Sequence, residues 1–123
     1  MSEHPKNQNL PAVLRMKRGW ELTISRAALE PLGNPGYVRF LWSAQQRVLL
    51  IEAADADTPQ SLRVGAPKGG SIVFRNHSFL DAILKLTQWN RDSIYTVQGE
   101  YLPKLNMVAF ETQNVIQEEP SNA

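Results

Sequence analysis

A single α+β domain made of two similar strand–helix–hairpin halves is the fold that the 123-residue sequence predicts. Three observations carry this. Two pairs of β-runs, 37–42 with 47–52 and 94–101 with 106–111, are each separated by a short polar turn. Two stretches, 26–30 and 78–89, have helical patterning, and each lies between a short strand and one of those hairpins. The same order recurs at a spacing of roughly fifty residues. A unit of ~40 residues cannot bury its apolar faces alone, so the halves are expected to pack on each other.

The elements follow in order. Ala12 to Met16 is a short extended segment, and Lys17-Arg18-Gly19 is a basic turn in which glycine relieves the backbone. Trp20-Glu21-Leu22-Thr23-Ile24-Ser25 alternates apolar and polar residues, the period of a half-buried strand. Ser25 is placed to cap the short helix Arg26-Ala27-Ala28-Leu29-Glu30, which Pro31 and Leu32-Gly33 end. Asn34-Pro35-Gly36 is a turn before the first hairpin, Tyr37–Trp42 and Arg47–Glu52. Ser61 to Val64 is a brief strand, and Ala66-Pro67-Lys68-Gly69-Gly70 is the boundary loop. Ser71 to Arg75 is the next strand. Ser78, with Asp81 three residues on, suggests a capping box for a helix whose apolar face is Phe79, Leu80, Ile83, Leu84 and Leu86, with Trp89 near its end. Asn90-Arg91-Asp92 breaks it ahead of the second hairpin. The expected organisation is a disordered lead at 1–11 and one domain at 12–116, followed by a disordered tail at 117–123. Within the domain, 12–59 is the first unit, 60–70 the linker and 71–116 the second unit.

Composition narrows the function. There is no cysteine, so disulfides and thiolate metal sites are excluded, and a reducing, cytoplasmic setting is expected. No apolar run approaches the ~18 residues that span a bilayer, and the N-terminus has no apolar core of a signal peptide. The net charge of +1 conceals an asymmetry. Residues 1–51 carry seven Lys/Arg against three Glu, whereas residues 52–123 carry six against nine acids. Separation of this kind steers an anionic partner to one side of a molecule.

The stretch Leu22-Thr23-Ile24-Ser25-Arg26-Ala27-Ala28-Leu29-Glu30-Pro31-Leu32-Gly33, then Val38-Arg39-Phe40 and Val48-Leu49-Leu50-Ile51, resembles the AbrB/SpoVT swapped-hairpin family. The resemblance is close over about thirty residues of the first half and extends to the second as a pattern. It implies a small swapped-hairpin β-barrel in which two units interlock. The tandem, MraZ-like arrangement would place both units in one chain, which closes a barrel alone or pairs with a second copy as a homodimer. It further implies a bacterial-type transcription regulator that binds double-stranded DNA. The family's arginines at the strand start and on the short helix correspond here to Glu21, Leu29 and Glu30. The basic hairpin keeps its character.

The candidate DNA-binding residues are Arg15, Lys17, Arg18 and Arg26, since a two-stranded ribbon with a cationic tip fits the major groove. The same residues also suit a solvated edge strand blunted by charge. Trp20, Trp42 and Trp89 could stack on bases, but read more simply as core or interface residues. No enzyme chemistry, cofactor or metal is expected. His4 and His77 are the only histidines, Ser78 and Asp81 are accounted for by capping, and Lys68-Gly69-Gly70 lacks a phosphate-loop pattern. Glu52, Asp55 and Asp57 lack calcium-loop spacing. The alternative to DNA binding is a non-catalytic protein-binding module on the same barrel (an inhibitor, adaptor or antitoxin-like partner). Glu21 and Glu30 favour it, because an acid facing a phosphate is repulsive.

Overall fold

The computed structural model describes residues 11–118. The expected disordered lead therefore lies, except for Pro11, outside the described residues, as does the tail beyond residue 118. Eight strands form one antiparallel sheet that curls into a half-barrel, with two short helices. The strands are β1 (Ala12–Lys17), β2 (Glu21–Ser25), β3 (Tyr37–Ser43), β4 (Val48–Ala54), β5 (Leu62–Arg63), β6 (Ser71–Phe74), β7 (Ile94–Leu102) and β8 (Met107–Glu118). Helix α1 spans Arg26–Leu29 and α2 spans His77–Thr87. No helix among the described residues is long and apolar enough to cross a membrane.

The lateral order is β5-β3-β4-β8-β7-β1-β2-β6. Taking residue 60 as the divide, four of these seven pairings join one stretch to the other: β3 with β5, β4 with β8, β1 with β7 and β2 with β6. The two stretches therefore share one sheet and one core. Alternation along the strands supplies that core, with Leu14 and Met16 of β1, Leu22 and Ile24 of β2, Leu49 and Ile51 of β4, and Val108 and Phe110 of β8 all turned inward. Each such side chain is worth roughly 1.5–3 kcal/mol of burial. Phe74 packs edge to face on Phe40 and Phe79, and Phe40 and Phe79 meet tilted at 47°, with centroids 4.6 to 6.2 Å apart in the cluster.

Both expected helix caps differ from the observed ones. Ser25 has the extended backbone of a cap, but its side chain makes no capping bond. Its hydroxyl instead accepts from the Val13 N–H at 2.9 Å, tying the start of β1 to the end of β2. Helix α1 gives way to a 3-10 turn, Glu30–Leu32, because Pro31 fits a first-turn position there and Gly33 adopts the left-handed φ of +87° that ends it. In α2 the cap is Asn76 rather than Ser78. The Asn76 side chain accepts from the Phe79 N–H at 3.0 Å, which places Ser78 inside the first turn and leaves Asp81 free to reach Arg91.

The second hairpin runs further than its alternation suggests. β8 was expected to end near Glu111, with a tail from residue 117, but it continues to Glu118, which pairs with Ile94. The ladder shifts between Val97, opposite Val115, and Gly99, opposite Phe110, so that Gln98 faces four residues of β8. Within this bulge the N–H and hydroxyl of Thr112 both donate to the Arg47 carbonyl, at 3.2 and 2.7 Å. Gly99 lies beneath the Phe110 ring. A Cβ at Gly99 would meet ring atoms at 2.5 and 2.8 Å, so only glycine admits the aromatic there. Gly99→Ala is therefore expected to destabilise the fold by about 1–3 kcal/mol. The measurement is a lowered urea midpoint with an unchanged slope, and a midpoint equal to the parent's would contradict the close approach.

Candidate nucleic-acid interface

The period-two alternation that buries Leu14 and Met16 turns Val13, Arg15 and Lys17 to the outer face of β1. Pairing in register sets Arg15 opposite Thr23, Lys17 opposite Glu21, and Thr23 opposite Val73. The next outward residue beyond β6 is Arg75. A shallow groove of about 390 Å³ runs over this face, bordered by Arg15, Lys17, Lys68 and Arg75, with Glu21 the one acid lining it among the described residues.

Glu21 organises the patch. Its carboxylate is 3.4 Å from the Lys17 ammonium and 3.1 Å from the Arg75 guanidinium, and it is the most buried member of the trio. One carboxylate between two cations leaves a surplus of positive charge while fixing where the two side chains lie. Arg15 is only loosely tied, 3.9 Å from Glu118. Exposed pairs of this sort contribute roughly 0–1 kcal/mol to stability, so the cations remain available to an external anion. Across β7 the character reverses, and the neighbouring groove is bordered by Glu100 and Glu111. A basic strip thus lies beside an acidic one on the sheet's outer surface, with Lys68 and Arg75 of the basic strip coming from the more acidic part of the sequence.

The four residues singled out from sequence do not all converge. Arg15 and Lys17 lie on the strip. Arg18 sits beyond it in the β1–β2 turn, exposed, with no ion pair among the described residues. Arg26 lies at the opposite end of β2, about 13 Å of strand away from Glu21, on a separate groove bordered by Leu29, Pro35 and Val64. Lys68 and Arg75 join the strip instead. Arg75 follows Ser71 and Val73 on the outward side of β6, and the β2–β6 pairing sets this face beside Lys17.

Arg39 and Arg47 have structural partners. Arg39 pairs with Glu52 directly across β3 and β4, its Nε donating at 2.8 Å. Arg47 donates to the Leu86 and Thr87 carbonyls at the end of α2, at 3.2 and 3.1 Å, and lies 5.4 Å above the Trp42 ring. Trp89 stacks on Tyr95 with centroids 4.6 Å apart and only 8° between planes. Trp20 is not a core residue: it is 72% exposed at the hairpin tip.

That tip is held firmly. Arg18 and Gly19 both have left-handed φ, +54° and +73°, the geometry of a tight hairpin turn. The Arg18 N–H donates to the Ser93 carbonyl at 3.1 Å, and Gly19 is buried beneath Arg91 and Leu84. Arg91 is in turn held by Asp81 at 2.8 Å. The Arg91 hydrogen bond, aided by its charge, lowers the Asp81 pKa below its ordinary 3.8. A carboxylate depressed in the folded state favours folding above its unfolded pKa, and that contribution is lost as pH falls through the lower folded value. The clamp is thus intact at neutral pH and releases only in acid. Arg91→Met should raise the Asp81 titration to the usual carboxylate range in a carbon-detected NMR titration. An unmoved Asp81 midpoint would contradict the assignment.

No protein-family model matches the chain, and neither the curated proteins nor the solved structures searched contain a match to it.

Proposed function

We propose that this domain is a non-catalytic, double-stranded DNA-binding regulator of AbrB type, working in the cytoplasm and reading DNA from the outer face of β1, β2 and β6. The observation that carries the reading is the gathering of Arg15, Lys17, Lys68 and Arg75 along one groove, with Glu21 between Lys17 and Arg75 and with Arg18 at the adjoining tip. Four cations drawn from separate segments, with Arg15 and Lys17 partly and Arg75 and Lys68 largely in solvent, suit phosphates spaced along a backbone. β1 and β2 are flanked by β7 and β6, so the sheet face would lie against the backbone and the β1–β2 turn is the part narrow enough for a major groove about 12 Å across.

The strand order supports the tandem, swapped-hairpin form of that reading. Exchanging β1 with β5, β2 with β6, β3 with β7 and β4 with β8 maps each observed neighbour onto another observed neighbour, with one exception. The exception is β1–β2, whose counterpart β5–β6 is the open seam of the half-barrel. Two interlocked units related by an approximate twofold have this order.

A second reading, the protein-binding module, is favoured by a different surface. A groove of about 640 Å³ runs along the open seam, bordered by Phe40, Trp42, Leu62, Phe79 and Leu86. A native pull-down returning one stoichiometric protein, with no nucleic acid, would move the assignment to that reading.

For DNA binding, anisotropy titrations with a labelled duplex at several salt concentrations are expected to give an affinity that falls with salt. The slope should be about −3 to −4, matching three or four phosphates neutralised. Arg18→Gln should reduce the slope by about 1. The double change Lys17→Glu with Arg75→Glu should abolish binding and leave the circular dichroism spectrum unaltered, since both side chains are exposed. Absence of a shift at micromolar protein and low salt would refute the proposal.

A further inference from the structure

We infer that Trp20 is a base-stacking wedge, and that the preferred DNA sites carry a readily opened step beneath the hairpin tip. The inference rests on the DNA-binding reading above and adds to it the kind of site recognised. Trp20 is the most exposed large apolar side chain among the described residues. A tryptophan left 72% in water forfeits much of what its rings would gain elsewhere, and here the fold does nothing to cover it.

Its setting distinguishes it from the other exposed apolar residues. Leu105 and Ile116 stand in the β7–β8 hairpin beside the acidic strip, and Leu86 borders the apolar seam. Trp20 alone stands on a turn continuous with the cations, between Arg18 and the Lys17–Glu21–Arg75 trio. The turn is pinned as well as exposed. The Trp20 N–H donates to the Lys17 carbonyl at 3.0 Å, Arg18 is bonded to Ser93, and Gly19 has no room for a Cβ, which would come within 2.9 Å of the Arg91 side chain. The indole is thus presented from a backbone already ordered, so little further freedom is lost when it inserts.

The complement to this arrangement alternates negative charge with flat apolar rings. DNA has that alternation, but its base faces are closed by stacking, and an aromatic wedge reaches them only where a step opens. Pyrimidine–purine steps unstack most easily, and a bulge or mismatch has already done so. Charge on the strip would hold the phosphates and Trp20 would select the opened step. Stacking neutralises no phosphate, so its contribution is independent of salt.

The test compares two short duplexes of identical sequence, one fully paired and one with a single unpaired base, by anisotropy and tryptophan emission. The parent protein is expected to bind the bulged duplex about tenfold more tightly, with quenched emission. Trp20→Ala should bind both equally, with the parent's salt slope, and Trp20→Tyr should restore part of the preference. Equal binding of both duplexes by the parent, or a preference that survives in Trp20→Ala, would overturn the wedge and leave the DNA reading standing. Failure to bind either duplex would remove both.

Discussion

Backbone N–H and C=O groups withdrawn from water need partners, and in this chain the partners of one half are largely supplied by the other. β1 is satisfied on one side by β2 and on the other by β7, some eighty residues further along, while β4 is completed by β8. Neither half could retain its hairpins as isolated, half-paired ribbons, because each would expose a row of unpaired groups and an apolar face. This cross-pairing is therefore a condition for the core, and it also shapes the outer surface. It carries Arg75, from after residue 60, to the side of Lys17, at the end of β1, with Glu21 between them.

A second constraint sits at the β7–β8 bulge. The Phe110 ring lies on the bare Cα of Gly99, and the register then slips so that β8 can continue to Glu118. This slip brings Glu118 within 3.9 Å of Arg15. Packing in the interior and charge on the exterior are thus linked through a single change of register. The acidic strip borders the basic one because β7 and β8 pair where they do.

Much of the fold could be read from local patterns. The two long hairpins, the 11-residue helix α2 and the abbreviated first helix are written in alternation, apolar spacing and the Pro31–Gly33 stop. The errors came where a side chain had more than one use. Ser25 looks like a cap and ties strands instead, and Asn76 takes the capping place expected of Ser78 because it stands two residues earlier, with an extended backbone. The length of β8 was hidden by the four-residue bulge, which interrupts the alternation at Glu111. At the candidate site, Arg15, Lys17 and Arg18 could be read from sequence, because one hairpin holds them. Arg75 and Lys68 could not, since their place depends on the β2–β6 pairing, and Arg26 was grouped with the hairpin by sequence proximity although β2 carries it to the far end.

We propose that the cationic face built jointly by strands from both halves is the surface that DNA contacts. Amide chemical-shift mapping during a duplex titration tests this most directly, since it reports which surface is touched without altering a residue. The expected result is a continuous set of shifts over Arg15, Lys17, Arg18, Thr23, Val73 and Arg75, with Arg26 and the Phe40–Phe79 seam unmoved. Shifts concentrated on that seam, or confined to β1 and β2 with Val73 and Arg75 silent, would contradict it.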